Sequence, residues 1–250
     1  MEKIVVIKIG TNVLVDENGK IKRRILRALA RQIASLRQQG YWPVIVTSGA
    51  VACGNGVAGG EKIIDKQVAA SVGQPKLMAY WIEAFRKRGL IASQIQGTHQ
   101  DFKHPKTIAL IRRELEIGIV PVLNENDSVS ALEIKAMEHQ GDNDALAAIV
   151  AIGIGASKLI LLSDVDGLQN RKLKVISIVP VIDDAIKALA GVEGVKVSNR
   201  NGMGSKLIAA EKATRAGITV HLAKGSKPNV ITKILGPGRT PGTTFLAQKP

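Results

Sequence analysis

The chain has 250 residues, 45% of them hydrophobic, a formal net charge of +14 and a single cysteine. That is enough apolar material for a folded core, which excludes a disordered chain, and one cysteine excludes an internal disulfide. No apolar run reaches the roughly 18 residues of a membrane span, and MEKIVVIKIG has neither the length nor the cleavage site of a signal peptide. A reducing cytoplasmic setting is the expectation.

The elements alternate along the chain. KIVVIKI reads as a strand, and RRILRALARQIASLRQQG as a helix closing on Gly40. WPVIVTSGAVA is a short buried strand running into small residues. DKQVAASVGQPKLMAYWIEAFRKRG is a long helix interrupted near Pro75. LIASQIQ (strand), HPKTIALIRRELEIG (helix), IVPVLNEND (strand) and DNDALAAIVAIGIGA (helix) follow. Then come SKLILLSDVDG (strand), GMGSKLIAAEKATRAG (helix) and ITVHLAK (strand), with a short edge strand at TTFL. This order predicts βαβ units in an α/β fold, a mostly parallel sheet between two helical layers, with residues 1–250 forming one domain.

The positive charge is scattered over KIKRR (20–24), RKR (86–88), IRRE (111–114) and NRKLK (170–174), with 3% aromatics and no nucleic-acid signature. These runs read as solvated helix faces, and nucleic acid is not an expected partner. The four histidines are dispersed, so no metal site is predicted, and Cys53 reads as packing. There is no G-x-x-x-x-G-K-[ST], and Gly153-Ile154-Gly155 follows a helix instead of opening one, so neither familiar nucleotide loop is present.

In open parallel sheets, ligands gather at the carboxyl ends of the strands. Four predicted strand ends here are polar: Lys8-Ile9-Gly10-Thr11-Asn12, Thr47-Ser48-Gly49-Ala50, Asn124-Glu125-Asn126-Asp127 and Ser163-Asp164-Val165-Asp166. Lys8 breaks an apolar strand. It is either an edge residue reaching solvent or a buried cation waiting for an anion. Lys206 follows Gly202 and Gly204 at the first turn of a predicted helix, where N–H groups, the helix dipole and an ammonium coincide. Two fixed cations fit phosphoryl transfer, which needs positioning and charge neutralisation more than covalent chemistry.

The segments VIKIGTNV, VTSGAVACG, KQVAASVGQPKLM, VPVLNENDSV, GDNDALAA, LILLSDVDGL and NGMGSKLIAAEKATRAGI, in this order and on to GTTF, resemble the motifs of the glutamate 5-kinase branch of the amino acid kinase family. The matched motifs are those of the kinase domain, without the C-terminal PUA domain of many members. The resemblance implies an amino acid kinase-like α/β/α sandwich that uses ATP and Mg²⁺ to phosphorylate the γ-carboxylate of L-glutamate, the first step of proline biosynthesis. It implies that Lys8 and Lys206 hold the phosphates and that Asp144 orients both. Ser48, Asn124, Asp127, Asp142 and Asn143 would bind glutamate. Gly10, Gly49, Ser163, Asp164 and the segment Asn201, Gly202, Met203, Gly204, Ser205 and Lys206 would hold the nucleotide. Proline as feedback inhibitor, a homo-oligomer and hand-over to glutamyl phosphate reductase follow from the same resemblance. The family pattern is departed from at AMEHQ (136–140), at Asn201, where glycine is usual, and after Leu168, where an Asp-Pro is missing. On the residues alone, two alternatives stay open: a kinase of the same fold acting on another acid or a nucleoside monophosphate, and a non-catalytic anion- or RNA-binding protein.

Overall fold

In the computed structural model, alternate residues of strand β1 (Lys3–Ile9) feed two different cores. Ile4 and Val6 pack into one, while Val5, Ile7 and Ile9 pack into the other. A strand buried on both faces needs helices on both, and this is why KIVVIKI is almost continuously apolar. The structure describes residues 3–57, 62–129, 142–191 and 200–248, except for the side chains of Asp142, Arg200 and Asn201.

After β1 come α1 (Thr11–Leu14), α2 (Arg23–Gln38), β2 (Tyr41–Thr47), α3 (Ala50–Gly54) and α4 (Ile63–Arg86). They are followed by β3 (Ala92–Gly97), α5 (Pro105–Glu116), β4 (Val120–Glu125), α6 (Asp142–Gly153) and β5 (Lys158–Ser163). The described chain then forms β6 (Ile178–Val179), α7 (Asp184–Ala188), α8 (Arg200–Arg215), β7 (Thr219–Lys224), α9 (Val230–Leu235) and β8 (Thr243–Phe245). The strands make one sheet in the order β3-β4-β2-β1-β5-β7-β8-β6, and only the β7–β8 pair is antiparallel. Helices α5, α6 and α8 cover one face and α2, α4 and α9 the other. This is the three-layer α/β/α sandwich that the alternation predicts.

Helix α2 shows how the pattern holds a layer. Leu26, Leu29, Ile33 and Leu36 recur at helical spacing and are buried against the sheet, each contributing about 1.5–3 kcal/mol. Its opposite face carries Arg23, Arg24, Arg27 and Arg31, all exposed.

Two expectations need correcting. Helix α4 runs unbroken through Pro75, although a break was predicted there. Proline leaves the Ser71 carbonyl without its helical donor, but Ser71 and Pro75 both face solvent, where water can replace the lost bond. The TTFL segment does form a strand, but β8 lies inside the sheet and β6, only two residues long, is the edge. So short a strand has no readable periodicity.

Candidate active site

The order of the strands makes the site. From β1 the chain moves one way to β2 and later the other way to β5, so a crevice opens beyond the carboxyl ends of these three neighbours. Lys8, Ser48 and Ser163 stand at those ends.

Lys8 is not an edge residue: β1 is laddered on both sides, with Lys8 opposite Val46 and Leu161. By strand parity it points with Ile4 and Val6 toward the layer that contains α6 and α8. There its Nζ lies 2.8 Å from Asp144 Oδ1. Lys206, from α8, meets the other oxygen of that carboxylate at 3.0 Å and also donates to the Gly202 carbonyl at 2.9 Å. The Ser205 hydroxyl lies 3.1 Å from Asp144 Oδ2 and 3.1 Å from the Gly202 carbonyl, and donates to one or the other.

One carboxylate therefore holds two ammonium groups, and the centre keeps a net positive charge. Lys8 is 7% exposed and Asp144 1%. Burial above all, and then Lys206, hold the Lys8 pKa below the ordinary lysine value, with Asp144 and Asp164 pulling it up. Burial pushes the Asp144 carboxyl up, but the two lysines outweigh it and keep it below the ordinary carboxylate value. Asp144 also sits in the first turn of α6, where a negative charge suits the helix dipole.

A chain of amides lies beside this centre. The Asn143 amide donates to Ser48 Oγ at 3.1 Å and to Asn124 Oδ1 at 3.1 Å, and Asn124 donates to Gln74 Oε1 at 2.8 Å. These donations leave Asn143 Oδ1 buried and without a hydrogen-bond partner among the described residues. A cleft of about 350 Å³ is lined by Lys8, Ser48, Gly49, Asp127 and Asn143, among others. Its size and mixed lining suit a small polar molecule.

Gly49 turns the chain from β2 into α3 with φ 109°, and a Cβ there would lie 2.9 Å from Val15 Cγ2. Only glycine fits. Gly10 differs from expectation: its N–H is not free for phosphate, because it donates to Leu162 O at 2.9 Å and extends the β1–β5 ladder. What Gly10 offers is close approach to β5, since a Cβ would sit 3.3 Å from Leu162 O.

On the nucleotide side, Ser163 Oγ donates to Asp164 Oδ1 at 3.1 Å, and Asn12 donates to Asp164 Oδ2 at 2.8 Å. Helix α8 begins at Arg200, so Gly202, Met203 and Gly204 lie within its first turns and not in a loop ahead of it. A Cβ on Gly204 would meet nothing within 4 Å, so that glycine is not required by local packing. The side chains of Asp142 and Asn201, and the AMEHQ segment, lie outside the described residues.

Two participants were not assigned from sequence. Gln74, 4% exposed, anchors Asn124; a buried amide within an apolar helix face was the available signal. Asn12 holds Asp164, and nothing in its spacing marks it. Cys53 is buried, and that burial pushes its thiol up to about 11, in keeping with packing.

Residues 3–224 match the Amino acid kinase family. The chain belongs to that family. It is 40% identical over 257 aligned residues to the glutamate 5-kinase of Citrobacter koseri, covering 97% of this chain and 68% of that relative. A Klebsiella pneumoniae glutamate 5-kinase is also 40% identical, over 98% of this chain and 69% of its own length. Among solved structures, N-acetylglutamate synthase from Neisseria gonorrhoeae, complexed with coenzyme A and N-acetyl-glutamate, superposes with a TM-score of 0.73 at 15% identity. That match spans 99% of this chain and 60% of the synthase, and it shows the amino acid kinase fold. The motif resemblance to glutamate 5-kinases is borne out along nearly the whole chain.

Proposed function

We propose that this chain transfers the γ-phosphoryl group of ATP to the γ-carboxylate of L-glutamate, forming γ-glutamyl phosphate and ADP in the first step of proline biosynthesis. The observation that carries the reading is the placement of the Lys8–Asp144–Lys206 centre beside the Ser48–Asn143–Asn124–Gln74 chain, in a protein 40% identical to glutamate 5-kinases.

The chemistry needs no general base. A glutamate side chain, with a pKa of about 4.3, is already ionised at neutral pH. Its oxygen attacks the γ-phosphorus in line, the new O–P bond forms, and the bond to the ADP oxygen breaks. The obstacle is bringing two anions together. Lys8 and Lys206, fixed by Asp144, neutralise the phosphoryl oxygens as charge develops on the leaving oxygen. In the cleft, the unmatched Asn143 Oδ1 and the carboxylate of Asp127 accept from the substrate ammonium, while Ser48 and Asn124 hold Asn143 in place. Asp142 joins this set by resemblance.

Ser163, Asp164, Gly49 and the Asn201–Lys206 turn of α8 hold the nucleotide, while Gly10, whose N–H is taken by Leu162, donates nothing to it. Asp127 and Asp164 stand on strand ends three ladder steps apart and do not form a cage. Such a donor set fits Mg²⁺ bound mainly through phosphate oxygens, where it supplies further charge neutralisation.

The protein acts as one kinase domain in the cytoplasm; among the described residues no helix is long and apolar enough to cross a membrane. A homo-oligomer is supported by exposed Ile82, Ile91, Leu110 and Ile117 around the edge strand β3, and light scattering at micromolar concentration tests it. Proline inhibition and hand-over of the acyl phosphate to glutamyl phosphate reductase follow from the pathway position.

Hydroxylamine trapping with ATP and Mg²⁺ tests the substrate. Hydroxamate is expected with L-glutamate and not with aspartate or N-acetylglutamate, and ADP release with UMP is expected to stay at background. Turnover on another acceptor would keep the fold and overturn the substrate. A folded protein inactive on every acceptor would favour an anion-binding role.

A further inference from the structure

Basic runs that look scattered in sequence converge in space. Arg24 and Arg31 of α2, with Lys22 and Lys227, line a groove of about 670 Å³ beside the turn that follows β7. Arg24 and Arg31 also line a second groove of about 570 Å³, with Arg23, Arg27 and Arg88. The two share Arg24, Ala28 and Arg31 and lie side by side along the exposed face of α2, an arginine-lined channel in two adjoining parts.

We propose that this channel binds an oligophosphate: a linear anion of three or more phosphoryl groups, at a site separate from the kinase centre. Helix α2 carries no carboxylate to offset its arginines, which repeat at i, i+4 and i+8 as Arg23, Arg27 and Arg31. Like charges at that spacing repel, and a bound polyanion relieves the repulsion. Two carboxylates stand at the ends and offset the charge only in part: Glu83, which also faces Arg23 and Arg27, is paired with Lys87 at 2.6 Å, and Asp166 with Lys227 at 2.7 Å. Arginine forks, more than lysines, match phosphoryl oxygens in paired hydrogen bonds. From Arg23 to Arg31 the helix rises about 12 Å, too long for one phosphate and suited to a chain of them.

A phosphate chain could be free or part of a single-stranded nucleic acid, and the structure favours the free form. Single-strand binders stack bases on exposed aromatic rings. The ring beside this channel, Tyr80, is already covered by the Arg23 guanidinium, 4.8 Å from its centroid, and its hydroxyl accepts a hydrogen bond from the same side chain.

Titration calorimetry of the full chain with tripolyphosphate tests the site, with a 12-nucleotide single-stranded RNA as the second probe. Because the kinase centre also attracts phosphates, Lys206→Ala serves as the background in which that centre is weakened. Tripolyphosphate is expected to keep binding Lys206→Ala, which loses only the part of the wild-type binding that comes from the kinase centre. The Arg24→Ala/Arg31→Ala protein should bind about tenfold or more weakly, with a shallower dependence on salt. Both arginines are exposed, and an unchanged thermal melt checks that this variant is folded. The inference is overturned if the double variant binds like the wild type, if Lys206→Ala abolishes binding, if nothing binds at millimolar tripolyphosphate, or if the RNA binds more tightly at the same salt.

Discussion

The ammonium of Lys8 lies 2.8 Å from a carboxylate oxygen of Asp144, and both side chains are buried. The second oxygen of Asp144 meets Lys206, so a single anion restrains two cations whose charges otherwise repel. Lys8→Ala and Lys206→Ala are each expected to lower kcat by about 10²-fold or more, the effect of losing a preorganised charge donor. A loss of only a few-fold in a steady-state assay would remove that lysine from the phosphoryl site.

Asp144→Asn leaves Lys8 and Lys206 facing each other across a neutral amide. Removing one partner of a buried ion pair typically costs about 3–5 kcal/mol, and a loss in that range is expected in urea unfolding at pH 7. Turnover should fall with it. A variant as stable as the wild type would mean that solvent, not Asp144, balances the lysines.

Gln74 touches Asn124 and is placed to act through it. Gln74→Leu leaves the Asn124 amide without its acceptor, so the KM for glutamate is expected to rise about tenfold while the KM for ATP stays nearly constant. An equal change in both constants would point to a general packing defect. Rescue by Gln74→Glu, which restores an acceptor, separates the two.

His221 is buried in β7, with Nδ1 3.1 Å from Thr244 Oγ1 and Nε2 without a partner among the described residues. Burial, reinforced by Lys158, lowers its pKa to about 4. Between that value and the ordinary 6.5 the unfolded chain binds the proton and the folded one does not, so stability rises with pH across this window. Going from pH 7 to pH 5 should cost about 2 kcal/mol in equilibrium unfolding, and His221→Gln should remove most of that slope. Asp144 acts lower: its carboxyl is depressed below the ordinary carboxylate value, so its contribution is intact above that value and fails only in stronger acid.

The layers, most strands and the long helices were legible because their side chains repeat with a period of 2 or 3.6, as in KIVVIKI and RRILRALARQ. The short elements were not: α3, α7 and β6 are two to five residues long and owe their form to the surrounding packing. The site was legible as four polar strand ends, and the meeting of Lys8, Asp144 and Lys206 was anticipated from the family resemblance. Hydrogen-bond routing was hidden. No sequence pattern says that the Gly10 N–H is taken by Leu162 or that Asn124 leans on Gln74. The arginine channel was hidden for the same reason, because Arg88 and Arg23 become neighbours only when α4 packs on α2.

The most direct test of the central claim follows an oxygen atom. L-glutamate labelled with ¹⁸O in its γ-carboxylate is turned over with ATP and Mg²⁺ in the presence of hydroxylamine, and the released phosphate is examined by mass spectrometry. Attack of the carboxylate on phosphorus, then of hydroxylamine on the acyl carbon, predicts phosphate carrying one ¹⁸O for each hydroxamate formed. Unlabelled phosphate would mean that ATP is split without joining glutamate, and the account would fail.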